Sequence, residues 1–318
     1  VERLTTGDDR HVLRHEAGVL SPVLDATLGL LDDAGRYALH VASHLPPEEI
    51  PWPWLEALTR AAFPAMRREE EWEPDPWLAN RRQLEGLRLL TPGENPHTVR
   101  IHRLIAEHLR TQKAPRCLDD LTRLLAQRCV EISRGAPVPG WEHAALAHAV
   151  APLLRDGPSL ARAVTSAVPH LGRYVADGTI ETIAATLLTI ARELAAAMPD
   201  NLDARRDVTV SLNNVARLRQ RTDPATALTL YEESLTIARE LAAAMPDNLQ
   251  AQEDLIAGCF NLALHVEQHP NGRGSDGAAQ GRQLWAEACR LMNALRSRGH
   301  LPPGWEKYLQ HACERAAQ

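Results

Sequence analysis

The stretch Leu188-Thr-Ile-Ala-Arg-Glu-Leu-Ala-Ala-Ala-Met-Pro-Asp-Asn-Leu202 recurs letter for letter at Leu235 to Leu249, 47 positions later. A fixed internal period restricts a chain to stacked, similar units, because each unit completes its buried surface only against its neighbours. Around the second copy the apolar residues Leu228, Tyr231, Leu235, Ala238, Ala242 and Met245 recur at steps of three and four. That spacing lays them on one stripe of a helix. Pro199 and Pro246 end these helices, since proline lacks the N–H and clashes with the preceding turn. Asp200 and Asp247 are expected to cap the next helix, with Gln250 completing a capping box in the second copy. One unit is therefore a long helix, a Pro-Asp-Asn turn and a second helix running back.

The rest of the unit refines this reading. Val208 to Leu218 follow the turn, then a polar corner at Gln220 to Pro224, then a helix from Ala225. The segment Leu212-Asn-Asn-Val-Ala216, with Ala227 and Tyr231-Glu-Glu-Ser-Leu235, resembles a tetratricopeptide repeat. Leu171-Gly172, Gly178 and Ala184 look like the same pattern one unit earlier. The period exceeds the ~34 residues of the common form, and the excess lies in Arg239 to Met245. Helix pairs are predicted at about Leu160–Tyr174 with Ile180–Met198, Leu202–Arg219 with Ala225–Met245, and Leu249–Glu267 with Ala278–Arg296. The resemblance implies an α-solenoid of helical hairpins that binds a protein or peptide on the concave face made by the first helix of each pair. Asn213, Asn214, Arg217, Arg219 and Asn261 are the candidates there, because the apolar stripe does not need them. The asparagines could hydrogen-bond a peptide backbone or hold neighbouring repeats together; both readings stay open.

The first third reads differently. Val23, Leu24, Thr27, Leu28 and Leu31 form one helical stripe, and Tyr37, Val41 and Leu45 a second. Pro46-Pro47 stop that helix and Ile50-Pro-Trp-Pro-Trp54 opens another. Trp77, Leu78, Arg81, Leu84, Leu87 and Leu90 lead into a hairpin with arms Leu87–Thr91 and Thr98–His102 around Pro92-Gly-Glu-Asn-Pro96. A last helix begins Arg103-Leu-Ile-Ala-Glu-His-Leu-Arg110. This order resembles the winged-helix domain that follows the nucleotide-binding core in STAND NTPases, the NB-ARC and NACHT class of signalling switches. In that family a Met-His-Asp motif opens the helix and its histidine senses the β-phosphate of ADP. Here the motif reads Ile101-His102-Arg103, with arginine in place of the acid. The resemblance thus implies that His102 meets an ADP phosphate in an intact ATP/ADP-binding protein, while the plain alternative is that it caps the joint between hairpin and helix.

The expected organisation is an N-terminal lead-in (1–20), a winged helix (21–112), a linking helical hairpin (113–157), repeats (158–302) and a C-terminal capping helix (303–318). The fold class is all-α with one small β-hairpin wing. The absent initiator Met suggests a start inside a longer protein.

Composition narrows the function classes. A net charge of −6 gives no broad attraction to nucleic acid. The basic residues Arg67, Arg68, Arg81, Arg82 and Arg88, which would serve a DNA-binding winged helix, lie near Glu69-Glu-Glu-Trp-Glu73. No apolar run reaches the length of a membrane span. Five cysteines, odd in number and without C-x-x-C spacing, predict free thiols in a reducing cytoplasm. His40 with His44 and His265 with His269 share helix faces, but two imidazoles alone do not complete a zinc site. No Walker motif or nucleophile elbow occurs. Trp52, Trp54, Trp72 and Trp77 read as core anchors or, alternatively, an interface patch.

These readings converge on a non-catalytic regulatory and sensor segment. Its helical repeat would take a protein or peptide trigger, and its winged helix would relay to upstream nucleotide-binding and effector domains, in signalling or antiphage defence. A free-standing adaptor is the alternative, and a DNA-binding regulator a third reading.

Overall fold

A computed structural model describes residues 22–68, 70, 72–112, 114–155, 157–269 and 275–318; the expected lead-in lies outside them. Among the described residues the chain is predominantly helical, with one small three-stranded sheet. It divides into two compact units, residues 1–160 and 161–318.

The first unit holds α1 (residues 22–28), α2 (Asp33–Ser43), β1 (Ile50–Pro51), α3 (Trp52–Ala62), α4 (Pro76–Gly86), β2 (Leu90–Pro92), β3 (Thr98–Ile101), α5 (Arg103–Thr111), α6 (Pro115–Ser133) and α7 (Gly140–Val150). Helix α2 is central and packs against α3, α4, α5 and α6. Asp32 caps it, accepting from Gly35 N at 2.7 Å, and Tyr37, Leu39 and Val41 are buried along it. The sheet order is β1-β3-β2, both pairings antiparallel, with Ile50 opposite Val99 and Leu90 opposite Ile101. All four side chains are buried.

The first hairpin arm starts later than expected, at Leu90 and not Leu87. Helix α4 runs to Gly86 and closes when Arg88 takes the left-handed conformation (φ 58°) and Leu89 N reaches back to Leu84 O at 3.1 Å. Three of the four tryptophans are core anchors, but Trp72 is 71% exposed. The edge of Trp52 meets Trp77 at 5.9 Å, and Arg81 lies over the Trp52 ring at 4.5 Å while pairing with Glu85. Arg81 is thereby committed within the unit.

The second unit is entered by α8 (Pro158–Leu171), followed by α9 (Asp177–Ala197), α10 (Leu202–Arg219), α11 (Pro224–Ala244), α12 (Leu249–Gln268), α13 (Ser275–Ser297) and α14 (Glu306–Ala317). From α9 onward each helix packs against the next in the chain. The buried stripes carry the sequence period: Ala204, Val208, Leu212 and Val215 on α10, and Ala227, Tyr231, Leu235, Ala238 and Ala242 on α11.

Three expectations are corrected here. The helix caps are Asn201 and Asn248, accepting from Ala204 N and Ala251 N at 3.1 Å each, because the Pro-Asp pair turns before the helix begins. Gln250 makes no capping box and donates instead to Asp254 at 3.1 Å. Cys289 on α13 and Cys313 on α14 form a disulfide, 24 residues apart in sequence and invisible to any spacing rule, while Cys117, Cys129 and Cys259 are free and buried. Residues 270–274 lie outside the described residues, and α13 starts at Ser275, ahead of the expected Ala278.

Arginine–carboxylate pairs join alternate helices of this unit. Arg162 of α8 meets Asp207 of α10 at 3.0 Å, Arg206 of α10 meets Asp254 of α12, and Glu267 of α12 meets Arg315 of α14 at 2.6 Å. The intervening helices do the same, Arg192 of α9 with Glu233 of α11 at 2.7 Å and Arg239 of α11 with Glu287 of α13 at 2.6 Å. Helices α8, α10, α12 and α14 thus form one series and α9, α11 and α13 another.

Candidate functional site

The predicted ligand residues fall on α10 and α12, and the structure separates them. Asn214 is only 5% exposed; its Nδ2 donates to Thr165 O of α8 at 2.8 Å, and its Oδ1 accepts from Arg217 Nη2 at 2.7 Å. A side chain so placed joins α10 to α8. Asn261 sits 47 positions later, at the equivalent place on α12, and its Nδ2 donates to Asn213 Oδ1 at 3.3 Å. Both are half-buried. This bond leaves Asn213 Nδ2 as a donor and Asn261 Oδ1 as an acceptor, which is the complement of one peptide group. Arg217 is exposed and Arg219 half-exposed on the last turn of α10.

Beside Asn261 opens a groove of about 290 Å³ lined by Ile256, Ala257, Phe260, Met292, Trp305 and Tyr308. Phe260 is fixed from behind by Trp285, edge to face at 4.8 Å, and Tyr308 stands 6.2 Å away across the groove. Trp285 is itself held by Nε1 donating to Glu267 Oε1 at 2.6 Å. Tyr308 is 47% exposed, with Lys307 Nζ 5.0 Å from its ring. An apolar, aromatic floor with a few directed polar groups at its edge is the usual make-up of a ligand pocket. Asn261 and Asn213 are among the sequence candidates, whereas Trp305 and Tyr308 are not, because α14 lies outside the repeated pattern.

Burial pushes the Tyr231 phenol and the Cys259 thiol up to about 12 each. His265, 2% exposed, is lowered from its ordinary value by burial and then by the charge of His269. Its Nε2 bonds Pro224 O at 3.0 Å. No cluster of three metal-binding side chains occurs among the described residues, so neither histidine pair is extended into a metal centre there.

In the first unit His102 is the N-cap of α5, exposed, with Nδ1 accepting from Leu104 N at 3.3 Å. That bond requires Nδ1 unprotonated and directs Nε2 away from the cap. The unit also contains a buried carboxylate, paired to a half-buried arginine, that no sequence pattern signalled. Glu142 of α7, 6% exposed, accepts from Trp54 Nε1 at 2.8 Å and from Arg128 Nε at 2.9 Å. Burial works against the charge of Arg128, but the hydrogen bonds and charges of Glu142 and then Glu131 outweigh it and hold the guanidinium above its ordinary value. Glu142 therefore ties α3, α6 and α7 together, with the tryptophan and the arginine both donating to its Oε1.

No family model matches the chain. No curated protein matches it, and no solved structure does either.

Proposed function

We propose that the second unit is a tetratricopeptide-like repeat that binds a short peptide segment of another protein across α10, α12 and α14. The groove of Phe260, Trp305 and Tyr308 beside the Asn213–Asn261 pair is the observation that carries this reading. The free donor and acceptor of the two asparagines hold one backbone amide, and the aromatic floor takes a bulky apolar side chain of the same peptide. In the same reading the first unit is a winged helix, with the hairpin of β2 and β3 as its wing. It relays occupancy of the groove to a STAND-type nucleotide-binding core, which makes the chain a sensor segment working in the cytoplasm. His102, exposed at the start of α5, offers Nε2 to an ADP phosphate while Nδ1 keeps the cap, and the helix N-terminus adds attraction for the anion.

The test is selection of a random peptide display library on the immobilised chain, with Phe260→Ala/Tyr308→Ala as counter-target. Peptides that share a bulky apolar residue and are retained only by the unaltered protein support the reading. Peptides retained equally by both, or none, overturn it. A selected peptide that is bound without any change on adding an upstream nucleotide-binding segment favours the free-standing adaptor.

A further inference from the structure

We propose that the Cys289–Cys313 disulfide is a redox latch that holds the ligand groove together; this rests on the groove reading above. The groove draws one wall from α12 and the other from Trp305 and Tyr308, at the start of α14. Helix α14 packs against α13, with His311 edge to face on Trp285 at 5.2 Å, and the disulfide adds the covalent tie between them. Only Leu309 and Ala312 of α14 are fully buried, and Arg315 adds a half-exposed pair with Glu267. Helix α14 has twelve residues, a length that is marginal on its own in water. It follows a connection in which Gly299 and Gly304 take φ of 72° and 83°, conformations glycine adopts freely.

The disulfide ties α13 to α14 one turn beyond Leu309, and both cysteines are half-buried, so a reductant reaches them without unfolding the chain. In a cytosol such bonds are typically transient and serve sensing. The step needs a dithiol reductant. Its thiolate attacks one sulfur, the other cysteine leaves as a thiolate and is protonated, and the reductant's second thiol resolves the mixed disulfide. The protein gains two electrons and two protons, and the reductant becomes its own disulfide. Loss of the cross-link lets α14 open on the order of 100-fold more often, and Trp305 and Tyr308 leave with it.

Hydrogen exchange read by mass spectrometry on the full chain tests this, comparing air-oxidised protein, protein reduced with dithiothreitol, and Cys313→Ser. The expected result is that amides of residues 306–317 exchange at least ten-fold faster on reduction, while those of α10 and α11 do not change. Cys313→Ser should show the fast exchange with or without reductant. Equal protection of α14 in oxidised and reduced protein overturns the latch, as does thiol alkylation showing all five cysteines free under air. A second arm uses a peptide from the library selection, expected to bind at least ten-fold more weakly after reduction; unchanged affinity also overturns the latch. A library that yields no peptide removes the function proposed above and leaves the latch to be decided by exchange alone.

Discussion

The two units are stabilised in opposite ways. The first gathers its helices around single, buried, irreplaceable contacts: the Glu142 carboxylate between Trp54 and Arg128, and Trp52 against Trp77. The second spreads its stability over repeated modest contacts, an apolar stripe on each helix and an arginine–carboxylate rung between alternate helices. A repeat built that way tolerates change at any one rung, because its stability is close to a sum of neighbour terms.

Substitution would sharpen the contrast. Glu142→Ala should destabilise the first unit by about 1.5–3 kcal/mol, since it leaves the Trp54 N–H buried without its acceptor, while the half-buried Arg128 keeps Glu131. Urea unfolding followed by hydrogen exchange of the α3 and α7 amides reads it, and a loss below about 1 kcal/mol would place that pair with the surface rungs. The second unit's nearest counterpart is Asn214→Ala, which strands Thr165 O and should cost roughly 1–3 kcal/mol, read from hydrogen exchange of the α8 and α10 amides in urea. Asp254→Asn, which removes one rung, should cost roughly 0.2–1 kcal/mol and less at high salt, because that pair is partly exposed.

Acid should act on both units alike. His40 in the first and His265 in the second are lowered by burial, so the folded state favours their neutral forms. The unfolded chain binds these protons near pH 6.5 while the folded protein does not. Stability is thus complete above pH 6.5 and declines as pH falls from there through the lowered folded values. Thermal unfolding between pH 7.5 and 5 should show that decline, and His265→Leu should reduce its slope in the second unit; a flat profile argues against both histidines.

How much of this was legible in the sequence follows from how local each feature is. Helix α10 begins and ends at the expected Leu202 and Arg219, since its stripe, its proline stop and its polar corner are all written within a few residues. The second hairpin arm begins at the expected Thr98 for the same reason. Strand β1 has two residues, too few to show any alternation, and exists only because β3 pairs with it. The disulfide, the burial of Glu142 and the aromatic half of the groove each depend on residues brought together from different helices. Asn213 and Asn214 are adjacent letters with identical chemistry, yet helix geometry turns one toward the half-exposed Asn261 and the other inward to Thr165.

The central claim is that the face of α10, α12 and α14 takes a peptide. The most direct measurement is calorimetric titration of a library-selected peptide against the unaltered chain, Phe260→Ala, Asn261→Ala and, on the opposite series of helices, the exposed Arg290→Ala. The account predicts at least ten-fold weaker binding for Phe260→Ala and Asn261→Ala and no change for Arg290→Ala. Equal affinity for all four proteins, or a loss confined to Arg290→Ala, would contradict it.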